Sequence, residues 1–420
     1  MTKPKIRIAI IGGGLAGASL ANALVRHAHL EFHLYESASE FSERGAGVSL
    51  SKTAQGALEH INPAAPEILR KAGAVAQKSS RNMIGSGPHA GAVVFDLIAD
   101  PKRLGLTVHR ASLLRELLAP IPQERLHTNK KLDRITPKSS GCVEVVFQDG
   151  ESALFDAVIG ADGIFGSMRK YVLEDFPDAC DPSPAGFWDC RNVVPFEKVK
   201  AALGEQFFET DRQYGWSGDG AFVIHDALED RTMVQCAVSA IDRDPCDDRK
   251  QPLTREFLEE TLKNWMDGPI GKAIIDLILD QPDAHRYSQW EFRSTPTYAK
   301  SRVCIAGDAA HAMTPWQGAG AGQAFEDAMI LGTLLGNATT AVQIDAAFRA
   351  YDAVRRPRAQ RIVDSSRETG LIMTGQDAEA GLDPEKLRPV LKSRWDFIYG
   401  IDFVAYKEEA LVKMREFETC

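Results

Sequence analysis

A strand–glycine–helix–strand pattern occupies the first forty residues and restricts the fold more than any other feature of the chain. Residues 5–11 (KIRIAII) have the β-branched content of a buried parallel strand and lead directly into GGGLAG, a G-x-G-x-x-G spacing at residues 12–17. Residues 15–27 then carry apolar side chains at helical intervals, and a second strand-like segment, EFHLYE, ends on Glu36. This order predicts the first βαβ unit of a Rossmann-like fold.

Each of these residue types has a physical role in binding a dinucleotide. Gly12 permits the tight turn, Gly14 lets a pyrophosphate approach the backbone, and Gly17 lets the helix pack closely on the strand. Glu36 lies 19 residues after Gly17, where a carboxylate accepts hydrogen bonds from a ribose. The pattern therefore predicts an adenine dinucleotide, but it does not distinguish FAD from NAD.

Two later glycine–aspartate motifs also follow strand-like segments. After residues 157–159, Asp162 in the sequence GADG is either a turn cap or a nucleotide contact. After the strand predicted to end at Gly307, Asp308 is placed to hold polyol hydroxyls, and the glycine-rich run 318–322 precedes a helix predicted from Gln323 onward. Small residues in that run let a flat ring lie against the backbone, where the helix dipole stabilises negative charge. These features favour FAD, with a glycine run that serves only helix packing as the alternative.

Length, charge and cysteine usage exclude several other classes of protein. The chain has 420 residues and a formal net charge of −9, so we expect one large or two medium domains and no binding to nucleic acid. No apolar stretch approaches the ~18 residues that span a bilayer, so no membrane association is predicted. Seven cysteines without a C-x-x-C pair predict reduced thiols in a cytoplasmic protein.

Two sets of side chains invite other interpretations. His311 lies near Asp308 but has no second ligand at metal spacing, so we predict no metal site. The basic residues of RRPRAQR at 355–361 lie at helical spacing on an acidic chain. We expect them to form a solvated or internally paired face.

The order of these motifs resembles that of the class A flavoprotein aromatic hydroxylases, especially the salicylate hydroxylase-like group. The resemblance extends to about residue 370 and includes GAGVSL at 45–50, VHRASLLREL at 108–117 and RRPRAQRIV at 355–363. It implies bound FAD, NADH or NADPH as cosubstrate, and hydroxylation of a small phenolic or aromatic acid by O₂. Decarboxylative hydroxylation of a salicylate-type substrate to a catechol is the preferred prediction.

The resemblance also implies which residues contact the cofactor. They come from the glycine motif, the 45–49 loop, the two glycine–aspartate motifs and the glycine-rich run. The predicted contacts are Gly12, Gly14, Gly17, Glu36, Gly47, Ser49, Arg110, Asp162, Asp308, Gly320 and Ala321. Asp162 lies in the segment that the family uses for both FAD and the nicotinamide nucleotide.

Between residues 182 and 296 the pattern changes to short, aromatic-rich strands, which resemble the sheet that supplies the family's substrate pocket. Arg191 matches the arginine of a Y/F-R-G strand and is a candidate to hold a phenolate or carboxylate, with a surface salt bridge as the alternative. His225 is a candidate proton acceptor because its ordinary pKa suits that role, with a core histidine as the alternative. Trp316 stands where several bacterial relatives carry histidine, and we expect it to form an apolar wall.

The predicted fold is α/β, with a Rossmann-like FAD-binding domain, an interleaved mixed-sheet substrate domain and a helical C-terminus. Residues 1–181 are assigned to the FAD-binding domain with part of the substrate sheet, 182–296 to the substrate-binding sheet, 297–370 to the continued FAD-binding domain and 371–420 to C-terminal helices. We expect a monomer or a homodimer. Two alternatives stay open: a hydroxylase of a larger phenolic or polyketide intermediate, and a flavin-binding regulatory protein without catalysis.

Overall fold

The structure of the protein is a computed structural model that describes residues 5–42, 47–77, 79–98, 104–210, 212–228, 231–244 and 248–419. Within these ranges the strands are β1 (Ile6–Ile11), β2 (Leu30–Tyr35), β3 (Gly47–Leu50), β4 (Val75–Gln77), β5 (Ser79–Ile84), β6 (Val93–Ile98), β7 (Gly105–His109), β8 (Leu126–His127), β9 (Leu132–Pro137), β10 (Val143–Phe147), β11 (Ser152–Phe155), β12 (Ala157–Gly160), β13 (Ser183–Pro195), β14 (Gln213–Gly218), β15 (Ala221–Leu228), β16 (Met233–Ile241), β17 (Lys250–Pro252), β18 (His285–Glu291), β19 (Ala299–Lys300) and β20 (Val303–Ile305). The α-helices are α1 (Leu15–Leu24), α2 (Lys52–Ile61), α3 (Ala65–Lys71), α4 (Arg110–Leu118), α5 (Met168–Val172), α6 (Phe196–Leu203), α7 (Arg255–Thr261), α8 (Gly271–Leu279), α9 (Asp308–His311), α10 (Gly320–Asn337), α11 (Gln343–Met373), α12 (Pro384–Lys392), α13 (Asp396–Tyr399) and α14 (Phe403–Glu418).

A six-stranded sheet in the order β19-β20-β12-β1-β2-β8 carries the glycine motifs. Strands β20, β12, β1, β2 and β8 run parallel to their neighbours, and only β19 is antiparallel within this sheet. The interior strands are almost wholly apolar and buried, as parallel strands are when helices cover both faces. Because parallel strands end at the same edge, the turns after β1, β2, β12 and β20 meet there, although the ends of β1 and β20 are 294 residues apart in the chain.

A second sheet is mixed and eight-stranded, in the order β17-β18-β13-β16-β15-β14-β5-β6. It meets that edge at a cleft that Tyr287 and Trp290 of β18 line together with Asp308. Side chains alternate between its two faces along each strand. Trp188 on β13 points to one face and packs in a core with α7 and α8, whereas Phe187 points to the other face and contacts Trp316, which follows α9. The second face is therefore the one that meets the glycine motifs.

The predicted α/β architecture, with its mixed sheet and helical C-terminus, is confirmed by these elements. The predicted helix after the glycine run begins at Gly320, three residues earlier than Gln323. Gly320 and Gly322 thus lie in the first turn of α10, where the missing side chain at Gly320 leaves the helix end accessible. The described helices include none that is long and apolar enough to cross a bilayer, and the described cysteines are free thiols.

Candidate active site

The turn between β1 and α1 requires glycine at Gly12, and the first turn of α1 requires it at Gly17. Gly12 has φ +110°, and a Cβ there would lie 2.2 Å from the carbonyl oxygen of Ala161, which follows β12. A Cβ at Gly17 would lie 2.0 Å from the carbonyl oxygen of Gly12. Gly14 is the N-cap of α1, so the unpaired N–H groups of this helix end form a ready site for a pyrophosphate.

Glu36 follows β2 and is held beside this turn. Its Oε2 accepts a hydrogen bond from the N–H of Gly13 at 2.9 Å, and its Oε1 accepts from the N–H of Ala38 at 2.8 Å. A carboxylate offers about four lone-pair sites, so Glu36 can still accept from a ribose hydroxyl. The predicted ribose contact and the predicted pyrophosphate turn therefore lie together.

Asp162 is both a turn cap and a candidate ligand. Its Oδ2 accepts from the N–H groups of Ser167 at 2.6 Å and Met168 at 3.0 Å. Its Oδ1 is buried and has no hydrogen-bond partner among the described residues, and burial raises the pKa of this carboxyl despite the two N–H donors. The backbone of Asp162 packs against the glycine turn, since its Cα would lie 2.8 Å from a Cβ on Gly12, whereas its Oδ1 would lie 2.4 Å from a Cβ on Gly166.

The second glycine–aspartate motif is held from behind by a buried ionic cluster. Asp308 is exposed at the start of α9, whereas Gly307, with φ +62°, donates its N–H to Oδ2 of Asp327 at 2.8 Å. The same oxygen bonds Nε2 of His311 at 2.6 Å, and Arg355 donates to Oδ1 at 2.7 Å. Burial opposes ionisation of Asp327, but His311 and Arg355 outweigh it and lower the pKa to about 2. His311 is thus a partner of a charged aspartate inside the protein.

The glycine run after this motif leaves a flat, open surface. Gly318 adopts the left-handed conformation with φ +61°, and a Cβ at Gly318 or Gly320 would meet no heavy atom within 4 Å. Ala321 lies in the first turn of α10, whose N–H groups are available to an electron-rich ring edge. A planar ring system can therefore lie over this surface.

Strand β3 and helix α2 border the same surface. Gly47 pairs with His109 across β3 and β7, and Ser49 lies two residues farther along β3. Arg110 begins α4 directly after β7. A Cβ on Gly322 would lie 3.3 Å from Ala54 of α2, so α2, which follows β3, and α10 are neighbours. The predicted contacts Gly45 and Ala46 of the 45–49 loop lie outside the described residues.

Trp316 packs between the glycine surface and the eight-stranded sheet. Only 8% of its surface is exposed, and its ring lies 5.0 Å from Phe187 and 6.0 Å from Phe222 between centroids. A Cβ on Gly370 of α11 would lie 2.6 Å from the indole, so that glycine makes room for it. The predicted apolar wall is therefore built from both halves of the molecule.

Arg191 and His225 lie on opposite faces of the sheet. Arg191 is on the face of Phe187, is exposed, and makes no ion pair among the described residues. His225 is buried on the helix-covered face, where its ring stacks on Tyr214 at 4.9 Å and burial lowers its pKa to about 3. The structure brings Arg191, but not His225, to the face that meets Trp316.

Asp189, for which no role is predicted from the sequence, lies on the same face two residues before Arg191. Its Oδ1 accepts hydrogen bonds from Ser239 on β16 and from Gln289 on β18, the latter at 2.8 Å. Its Oδ2 has no hydrogen-bond partner in the described ranges, and burial raises the pKa of the carboxyl. A lone acid between Trp188 and Cys190 in an apolar strand is a signal that could have identified it.

Arg169 is a second residue without a predicted role. Its buried guanidinium donates to the carbonyl oxygens of Ala309 and Ala310 of α9 and to Oγ1 of Thr295, and it stacks on Phe292 at 3.6 Å. Burial lowers its pKa to about 10, so it stays charged at neutral pH. It thereby ties the Asp162 motif to the Asp308 motif.

A cleft of about 460 Å³ opens at the edge where the two halves meet. Asp308 borders it on one side, and Arg249, Tyr287 and Trp290 border it on the other. Phe165 of the Asp162 motif lies beneath the Arg249 guanidinium at 4.0 Å. A larger groove of about 680 Å³ follows the outer side of α11 and is lined by none of the predicted site residues.

These features fit FAD. A pyrophosphate would fit at the glycine turn, a ribose hydroxyl would find an acceptor in Glu36, and the ribityl hydroxyls would find one in Asp308. Asp162 keeps a buried oxygen that has no partner among the described residues. The open surface at Gly318 and Gly320 suits the isoalloxazine ring. All of these groups lie at one sheet edge, as a single extended ligand requires.

Comparisons with known proteins agree with this cofactor. A family model described as FAD binding domain matches residues 146–366. The chain is 35% identical to 6-methylsalicylate 1-monooxygenase of Aspergillus terreus, over 97% of this chain and 92% of that protein. It is 30% identical to salicylate hydroxylase of Pseudomonas putida, over 98% and 95%. A solved salicylate hydroxylase substrate complex superposes with a TM-score of 0.86 at 27% identity, over 97% and 98%. The chain belongs to the salicylate hydroxylase-like family of FAD-dependent aromatic monooxygenases.

Proposed function

We propose that this enzyme hydroxylates a small phenolic acid of the salicylate type, with NADH or NADPH as cosubstrate, and releases a catechol and CO₂. The observation that carries the proposal is the guanidinium of Arg191, which makes no ion pair in the described ranges and lies on one sheet face with the partly buried carboxyl of Asp189. The names of the two relatives, a 6-methylsalicylate monooxygenase and a salicylate hydroxylase, support the same substrate class.

FAD held at the glycine turn, Glu36 and Asp308 would supply the redox chemistry by which the nicotinamide and one oxygen atom of O₂ hydroxylate the aromatic ring. The second oxygen atom leaves as water, and the substrate carboxylate leaves as CO₂. Arg191 binds the anionic substrate through charge-assisted hydrogen bonds. Asp189 accepts the phenolic proton at Oδ2, because Oδ1 is engaged by Ser239 and Gln289. Phe187, Phe222 and Trp316 exclude water from the ring.

The experiment that tests the proposal is a stoichiometry measurement on FAD-loaded protein. NADH and NADPH oxidation, O₂ uptake, H₂O₂ and catechol are followed with and without salicylate or 6-methylsalicylate. We expect substrate-stimulated oxidation with one equivalent of catechol product per nicotinamide. Stimulated oxidation that yields mainly H₂O₂ would instead favour a larger phenolic or polyketide substrate, and the absence of any stimulation by phenols would favour the regulatory flavoprotein.

Replacing Arg191 by glutamine is expected to raise KM for salicylate by about 10- to 100-fold, since a hydrogen bond to a charged group is worth ~1.5–3 kcal/mol. The FAD dissociation constant should not change. Steady-state kinetics with salicylate and fluorescence titration with FAD measure the two effects. Lys198→Gln, which breaks an exposed ion pair with Asp280, is the control. An unchanged KM in Arg191→Gln would contradict the assignment.

Replacing Asp189 by asparagine is expected to lower kcat/KM by about 10²- to 10⁴-fold, the range of general base catalysis. Only the ionised carboxylate accepts a proton, so wild-type kcat/KM should rise with pH through the pKa of Asp189. Burial raises that pKa, so this limb lies above the ordinary range of an aspartate. In Asp189→Asn the limb should disappear.

The ionisation of a bound phenol gives a readout independent of turnover. With 5-nitrosalicylate, whose phenolate absorbs visible light, the bound phenolate fraction at fixed pH should fall in Asp189→Asn. Asp219→Asn is the control because it makes the same chemical change at an aspartate outside the proposed site. Asp219 lies in the turn after β14 and accepts a hydrogen bond from Asn264. If Asp189→Asn keeps the wild-type phenolate fraction and pH profile, Asp189 is not the proton acceptor.

A further inference from the structure

The C-terminal segment, defined as residues 384–418, contacts the turn that precedes the glycine surface. This segment lies outside the residues matched by the family model, which end at 366. Gln317 in the turn Pro315–Gln317 donates from Nε2 to the carbonyl oxygen of Arg394 at 2.9 Å. In return, the indole N–H of Trp395 donates to the carbonyl oxygen of Gln317 at 3.2 Å. Two reciprocal hydrogen bonds thus join the segment to this turn.

The C-terminal segment is itself anchored on α11, so its contacts hold the turn at a defined position relative to that helix. Arg394 donates to Oγ1 of Thr369 at 3.1 Å and to the carbonyl oxygen of Ser365 at 2.7 Å. Ile398 is buried in a small apolar cluster with Ala319 and Ile362. Ala319 is the residue directly before α10. Both ends of the loop between the turn and α10 are therefore held from the same side.

The last helix, α14, reaches two more elements of the flavin site. The hydroxyl of Tyr406 donates to the carbonyl oxygen of Val354 at 2.8 Å and accepts from Arg355 at 3.2 Å. A Cβ on Gly56 of α2 would lie 3.1 Å from the ring of Phe403. The C-terminal segment therefore contacts α2, α11 and the turn before α10, which together surround the glycine surface.

We infer that Trp395 is a positioning residue for the flavin. Its indole N–H holds the carbonyl oxygen of Gln317 in place, and this bond fixes the position of the 315–320 loop, against which the isoalloxazine ring would lie. Gly318 and Gly320 add no side-chain packing to the loop, so the hydrogen bonds to the C-terminal segment hold the backbone between the packed residues Trp316 and Ala319. Trp316, one residue earlier, forms the wall toward the substrate sheet. A shift of this loop therefore moves the glycine surface and the side chain of Trp316 together.

The test is Trp395→Phe, which keeps a ring at this position and removes the N–H donor. We expect the FAD dissociation constant to rise about five-fold, corresponding to ~1 kcal/mol, with a shifted visible flavin spectrum and an apoprotein Tm within a few degrees of wild type. Ser393→Ala is the control and should change none of these values. Among the described residues the Ser393 hydroxyl bonds only the carbonyl oxygens of Pro389 and Val390, in the helix that precedes it.

A second readout is the coupling of nicotinamide oxidation to substrate hydroxylation, and it rests on the proposed function. We expect the fraction of nicotinamide electrons released as H₂O₂ to at least double in Trp395→Phe. A lower apoprotein Tm with unchanged FAD affinity, spectrum and peroxide fraction would overturn the inference and leave Trp395 a structural residue. FAD affinity is measured without substrate, so it tests the inference even if the proposed substrate class is wrong. Should Trp395→Phe fail to fold, Gln317→Ala, which removes the reciprocal bond, must weaken FAD binding or the inference fails.

Discussion

Replacing Arg355 by leucine is expected to lower the free energy of unfolding of the apoprotein by about 3–5 kcal/mol and to abolish stable FAD binding. Arg355 is fully buried and donates to Asp327 and to Glu326, both at 2.7 Å. Without it two carboxylates stay buried with too little positive charge. Because Asp327 also holds Gly307 and His311, the Asp308 motif should lose its position.

Urea unfolding at pH 7 and FAD titration measure these effects. The lowered pKa of Asp327 means that its ion pairs contribute stability above about pH 4, the ordinary carboxyl range, and lose it only as pH falls through about 2. Arg356→Gln is the matched control because the neighbouring Arg356 makes a partly exposed ion pair with Asp352, which is worth about 1 kcal/mol or less. Equal losses of stability in the two variants would contradict the importance assigned to the buried cluster. Arg355→Lys, which keeps the charge, should fall between wild type and leucine.

Replacing Gly12 by alanine is expected to weaken FAD binding by more than about 100-fold, two factors of ten at 1.4 kcal/mol each. The new Cβ would lie 2.2 Å from the carbonyl oxygen of Ala161, so the turn after β1 and the end of β12 would have to separate. The residue would also be strained at φ +110°. The pyrophosphate turn and the Asp162 motif would both shift.

Flavin content after purification and fluorescence titration with added FAD give the result. Gly150→Ala is the control that shows the effect of backbone strain without a steric clash. Gly150 has φ +88° in the turn between β10 and β11, but a Cβ there would meet no heavy atom within 4 Å. We expect Gly150→Ala to lose about 1 kcal/mol of stability and to keep the wild-type FAD affinity. If Gly12→Ala retains its FAD at a comparable loss of stability, the turn does not contact the cofactor as assigned.

Arg191 and His225 lie on opposite faces of one sheet, and the sequence does not indicate which face each of them is on. Both lie in strands of the same sheet, and side chains alternate faces along each strand. Strand β15 is apolar at nearly every position, so its sequence does not indicate which face helices cover. Only the packing of the sheet on α7 and α8 placed His225 away from Trp316.

The hydrogen-bond partners of Arg355 and Arg169 could not be predicted from the sequence either. Arg355 belongs to a basic run for which a solvated or internally paired face was predicted, and the structure pairs it inside the protein with acids 28 and 29 residues away. Arg169 bonds backbone atoms 140 residues away. Such contacts join segments that are distant in the chain, and no local spacing encodes them.

The sequence by itself determined the α/β fold and the FAD cofactor, because glycine turns, strand-end acids and helix starts impose their backbone requirements over a few neighbouring residues. The tertiary structure decided that Arg191 shares a sheet face with Phe187, that His225 is buried on the opposite face, and that residues after 384 reach the turn before α10. These outcomes depend on strand register, on which sheet face is covered, and on contacts between distant segments, all of which the chain acquires only when it packs.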